Sequence, residues 1–75
     1  MRIESVELDD RNTPHVAKHG VGPNEVVQVF ASHPPIRRNK KDSTGAYYAI
    51  AFGIRVNFIY NPVACTARPI SAWRI

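Results

Sequence analysis

Histidines and arginines are the residues of this chain best suited to chemistry. His15 and His19 lie four apart, so on a helix their imidazoles share one face. An imidazole exchanges a proton near neutral pH, and either could serve as a general acid or base. The same pair could ligate a metal, but no third ligand stands at a recognisable spacing. No metal and no other cofactor is therefore expected. His19 directly precedes Gly20, where capping a helix C-terminus is the plainer role. His33, ahead of Pro34-Pro35, is a third candidate for the same role.

The arginines suit another task. A guanidinium stays charged, and its planar fork can grip two oxygens of one phosphate. Arg68 and Arg74 lie six apart. On a regular strand they share a face, about 20 Å from one another, and could hold neighbouring phosphates. Arg37, Arg38, Lys40 and Lys41 form the densest cation run, able to bind an RNA backbone or an acidic protein segment. Arg55 alternates with Asn57 in an aromatic and β-branched stretch. Tyr47, Tyr48 and Trp73 could stack on unpaired bases. Each of these has an ordinary structural fate as well: strand arginines guard sheet edges, and aromatics fill small cores.

Bulk properties bound the rest. Seventy-five residues make one domain, 1–75, because a second would have no core of its own. So small a fold has a thin stability margin, which leaves room for a partner or a second copy, a homodimer, to supply the rest. Hydrophobic content of 44% argues against disorder and is far from a membrane composition. No apolar window is long enough to span a bilayer, and MRIESVELDD lacks the apolar run of a secretory signal. The single Cys65 cannot form an internal disulfide, so a reduced, cytoplasmic setting is expected. Net charge is +4, which favours anionic partners. Its distribution is uneven. Residues 1–30 hold five acids against three bases, whereas from Ala31 onward Asp42 stands alone against seven bases.

Those side chains need elements to place them. IESVEL (3–8) admits a short first strand. Asp9 and Asp10 offer N-cap oxygens for a helix over Arg11–His19, with Pro14 in its first turn and Gly20 as its left-handed stop. Pro23 fits the first position of a second helix, in which Val26, Val29 and Phe30 form an apolar stripe that ends before His33-Pro34-Pro35. The period then changes to two. IRRN (36–39), AYYAIAF (46–52), RVNFIY (55–60) and ARPISAW (67–73) read as strands, separated by KKDSTG (40–45), by Gly53 and by NPVAC (61–65). With an odd loop or a bulge at Gly53, the residues Tyr48, Ile50, Phe52, Val56, Phe58 and Tyr60 share the core face, and burial favours that register. Arg55, Asn57 and Tyr47 then lie on the open face. Trp73 is left undecided between the faces. The resulting expectation is α+β, with two N-terminal helices packed on one face of a three- to four-stranded antiparallel sheet.

Several stretches resemble one family. KHGV (18–21), the Pro-Asn-Glu-Val helix start, the valine- and aromatic-rich hairpin and RPISAW (68–73) look like the BrnT-type toxins. These are small ribonucleases of bacterial toxin–antitoxin pairs, with a fold related to the RelE toxins. The resemblance runs from about Asp9 to Ile75. It implies metal-independent RNA cleavage and a cognate antitoxin that covers the basic face. It also carries a role for Arg68, in the matching Arg-Pro-Ile-Ser-Ala-Trp run. In such a reaction a base takes the proton of the 2′-hydroxyl, cations hold the phosphate, and an acid protonates the leaving oxygen. Arg68 with His19 or His15 are the candidates for catalysis. Arg55, Arg37, Arg38, Lys40, Lys41 and Arg74 are the candidates for RNA binding. GAYY (45–48) stands where the family carries a Gly-Glu-Arg-type stretch, which favours a second reading: a non-catalytic nucleic-acid- or protein-binding module on the same scaffold.

Overall fold

The chain enters its sheet beside its own last strand. A computed structural model describes residues 1–40 and 46–75. In chain order the elements are β1 (Ser5–Val6), α1 (Thr13–Ala17), α2 (Pro23–Ala31), β2 (Ile36–Arg38), β3 (Tyr47–Ala51), β4 (Ile54–Asn61) and β5 (Thr66–Arg74). The strands form one sheet in the order β1-β5-β4-β3-β2. Strands β2 to β5 pair antiparallel, but β1 lies parallel to β5, with Ser5 opposite Thr66 and Val6 opposite Ala67.

This corrects the expected fold. The protein is α+β, but its sheet is mixed and five-stranded, and a strand precedes the helices. The cause is visible in β1. Glu4 N–H donates to the Cys65 carbonyl at 2.7 Å and Glu7 N–H to the Ala67 carbonyl at 2.8 Å. Ile3, Val6 and Leu8 meanwhile pack against the core. Two ladder bonds and three apolar side chains hold a strand too short to announce itself by alternation.

Helix α1 is shorter than expected. Its start is set by an interlock: Asp9 Oδ1 accepts from the N–H groups of Arg11 (2.8 Å) and Asn12 (3.2 Å), while Asp9 N–H donates to Asn12 Oδ1 at 2.8 Å. Asn12, 4% exposed, also donates through Nδ2 to the carbonyls of Glu7 (2.9 Å) and Pro69 (3.0 Å). One buried amide thus ties β1, α1 and β5 together. Gly20 takes the expected left-handed turn at φ 81°. In α2, Pro23 opens the first turn, Glu25 Oε1 accepts from Gly22 N–H at 3.1 Å, and Val26, Val29 and Phe30 are buried.

Both helices cover the same side of the sheet, where Val16, Val21, Val26, Val29 and Phe30 meet Ala49, Ile54, Val56, Phe58, Ala67 and Ala72. Phe30 and Phe58 meet edge to face at 5.0 Å, a favoured aromatic geometry. The β3–β4 register differs from the one predicted. The hairpin loop is the two-residue Phe52-Gly53, at φ 55° and 69°, and Ala51 pairs with Ile54. Positive φ at both positions matches the two-residue turn whose twist suits antiparallel strands. Tyr47, Ala49, Ala51, Ile54, Val56 and Phe58 therefore face the helices, and Tyr48, Ile50, Arg55 and Asn57 face away. The predicted core position of Tyr48 is thereby overturned. Alanines supply the reason: their small side chains let the valines and Phe30 approach the sheet, so bulk at 48 and 50 is not needed. An irregularity does occur, between Asn57 and Phe58 against β5. Pro69, buried, sits beside it and beyond the end of β1, where no ladder donor is missed.

Candidate nucleic-acid interface

The described cations divide by partner. Arg68 Nη1 contacts Glu7 at 2.7 Å and Asp9 at 2.8 Å, and Arg74 Nη2 contacts Glu25 at 2.9 Å. Arg2 meets Glu4 at 2.8 Å. Arg74 also donates to the Gly20 carbonyl at 3.2 Å, so it fastens the end of β5 to the α1–α2 turn. The titration behaviour follows. Hydrogen bonds from the Arg68 guanidinium, then from Arg11 N–H, hold the Asp9 carboxyl far below its usual range. The Gly22 N–H and Arg74 lower Glu25. Arg68 is itself raised, chiefly by Asp9 and then by Glu7. Glu7, Asp9 and Glu25 are thus spent on arginines that close the fold.

Arg55 is placed differently. It projects from the middle of β4, opposite Ile50 on β3 and Trp73 on β5. Its guanidinium carbon lies 3.8 Å from the centroid of the Tyr48 ring and 5.3 Å from that of Trp73. Nε donates to Asn57 Oδ1 at 3.0 Å, and Nη2 to Asn39 Oδ1 at 3.4 Å. Two π faces and two amide oxygens hold the group in place, and none of them carries a compensating charge. Among the described residues no carboxylate pairs with Arg55, Arg37, Arg38 or Lys40.

These cations surround two depressions that share Tyr48 as a wall. One, of about 300 Å³, is lined by Arg38, Asn39, Lys40, Tyr48 and Arg55. The other, of about 200 Å³, is lined by Pro35, Arg37, Tyr48 and Ile50. Arg37 stands directly opposite Tyr48 on the β2–β3 pair. Trp73, which the sequence left open, lies on this face and is half-buried, while Ala72 joins the core.

The predicted site residues therefore separate. Arg55, Arg37, Arg38 and Lys40 come together. Lys41 lies outside the described residues. Arg68 is opposite Ile59, four residues along β4 from Arg55, a spacing of about 13 Å. It is also bound to two carboxylates, and Arg74 is bound to α2. His15 lies in α1 and His19 in the turn after it, both exposed and on the helical layer rather than the Arg55 face. His33 follows α2 at φ 52° and lines an apolar groove with Ile3 and Val27. No group of three His, Cys, Asp or Glu residues among those described is arranged to hold a metal. No described helix is long and apolar enough to cross a membrane. Sequence reasoning missed Asn39 as a partner of Arg55 and Tyr48 as its stacking surface. Only the cross-strand register, 48 beside 55 and 57, could have revealed them.

No family model, curated protein or solved structure matches the chain in comparisons with known proteins.

Proposed function

We propose that this protein binds single-stranded RNA on the face of its sheet opposite the helices. The observation that carries the reading is Arg55, stacked on Tyr48 at 3.8 Å with no described carboxylate beside it. Arg37 borders the same face, and Arg38 and Lys40 line the depression beside Arg55, all three without a described carboxylate partner. Cations aligned with exposed aromatic surface are the chemistry that single-stranded nucleic acid requires: charge follows the backbone and rings stack on bases. A cytoplasmic setting, in which RNA and a reduced Cys65 coexist, accompanies this reading. Fluorescence anisotropy with a labelled RNA of about ten nucleotides at low salt tests it. Binding that weakens on the double change Arg37→Gln, Arg38→Gln supports it, and no binding by the unaltered protein refutes it.

Metal-independent cleavage is the second reading. It rests on the KHGV and RPISAW resemblance to BrnT-type toxins, which would bring an antitoxin partner with it. The same samples test it, since attack by the 2′-hydroxyl leaves a 2′,3′-cyclic phosphate and a 5′-hydroxyl. Intact RNA after prolonged incubation favours the binding module.

A further inference from the structure

The two depressions beside Tyr48 differ in the cations that line them, one against three. The larger is rimmed by Arg38, Lys40 and Arg55 and has amide oxygen at its wall. It suits an anionic phosphate. The smaller has Pro35 and Ile50 as apolar walls, the Tyr48 ring as another, and a single cation, Arg37, at its border. With one cation where the larger has three, it holds an anion less well and offers a planar aromatic surface beside it. Arg55 already covers the Tyr48 ring at 3.8 Å, so the ring is polarised and held against rotation.

We propose that the slot formed by Pro35, Arg37, Tyr48 and Ile50 takes one unpaired nucleobase, whose adjoining phosphate rests among Arg38, Lys40 and Arg55. The inference depends on the RNA-binding reading and assigns the two halves of a nucleotide to two sides of one tyrosine. The base stacks on Tyr48 with Ile50 and Pro35 as its apolar surround. Arg37 reaches either the base edge or the next phosphate. Selectivity for single strands follows, because a base within a duplex cannot enter the slot. Loss of the Tyr48 ring should remove the contribution of the base and leave that of the backbone.

The experiment compares an oligouridylate with an abasic ribose-phosphate strand of equal length, by anisotropy, at one salt concentration. Base stacking on an aromatic side chain typically changes affinity by about tenfold or more. The expected result is that unaltered protein binds oligouridylate about tenfold more tightly than the abasic strand. That gap should close in Tyr48→Leu and narrow in Ile50→Gln, which keeps the ring but makes one wall of the slot polar. Ile50 is 41% exposed, so the second variant keeps the fold should the first lose it. Equal binding of both strands by unaltered protein overturns the base slot and leaves the phosphate-binding reading standing. A gap that persists undiminished in folded Ile50→Gln and Tyr48→Leu places the base elsewhere and also overturns it. Absence of binding to either strand overturns both readings together.

Discussion

The guanidinium carbon of Arg55 sits over the Tyr48 ring, 3.8 Å from its centroid. A lysine at 55 would keep the charge but could neither stack as a plane nor reach Asn57 and Asn39 together. Arg55→Lys is therefore expected to weaken RNA binding by about tenfold with little change in unfolding midpoint. Anisotropy and urea titration read the two quantities on the same preparation.

Asn12 is the joint of the N-terminal half. Its amide satisfies two carbonyls, on Glu7 and Pro69, from a site 4% exposed. Asn12→Ala strands those acceptors, and the expected loss is about 2 kcal/mol of stability, measured by urea unfolding. Asn12→Asp keeps the volume but replaces both donors with an acceptor and should cost at least as much.

Acid should loosen the Arg68 clamp. The folded-state pKa of Asp9 is depressed, so its stabilising contribution is present above the unfolded value of 3.8 and is lost as pH falls below it toward the folded value. Thermal midpoints measured from about pH 6 down to about pH 2 should fall more steeply in the unaltered protein than in Asp9→Asn. Parallel curves would show that the ion pair contributes nothing. Glu25, lowered by Gly22 and Arg74, adds a shift of the same sign, which Asp9→Asn leaves in place.

Phe52 holds a left-handed backbone, φ 55°, at the hairpin tip and is 70% exposed. A bulky side chain is strained there and gains little by burial, whereas asparagine visits that region readily and precedes glycine in favoured two-residue turns. Phe52→Asn should raise stability by about 0.5–1 kcal/mol, visible as a higher urea midpoint at unchanged slope.

Much of the helical layer was legible in the sequence. Pro23, Glu25 and the Val26-Val29-Phe30 stripe act through local geometry, which spacing alone encodes, and Gly20 turns where its position suggested. The sheet was harder. IESVEL admitted a short strand, but β1 is two residues long and held parallel to β5 from the far end of the chain, so no local pattern reports its partner. The register of β3 on β4 turned on Ala49 and Ala51, which count as weak hydrophobes by type yet form the core floor beneath the valines. Once the register moves, Tyr48 leaves the core and becomes the surface on which Arg55 rests. The candidate site was legible as a list of cations but not as a place. Which arginines are neutralised depends on Glu7, Asp9 and Glu25, far away in sequence from Arg68 and Arg74.

The central claim is that the cations with no described carboxylate partner, Arg55 among them, bind RNA, whereas Arg68 serves the fold. It is tested most directly by the salt dependence of RNA binding for the unaltered protein, Arg55→Gln and Arg68→Gln. With Arg37, Arg38, Lys40 and Arg55 on the backbone, the slope of log Kobs against log salt should be about −3. Arg55→Gln should weaken binding and flatten the slope by about 0.7, while Arg68→Gln, held below its lowered unfolding midpoint, should match the unaltered protein in both. An unchanged slope in Arg55→Gln, together with a flattened one in Arg68→Gln, would contradict the claim.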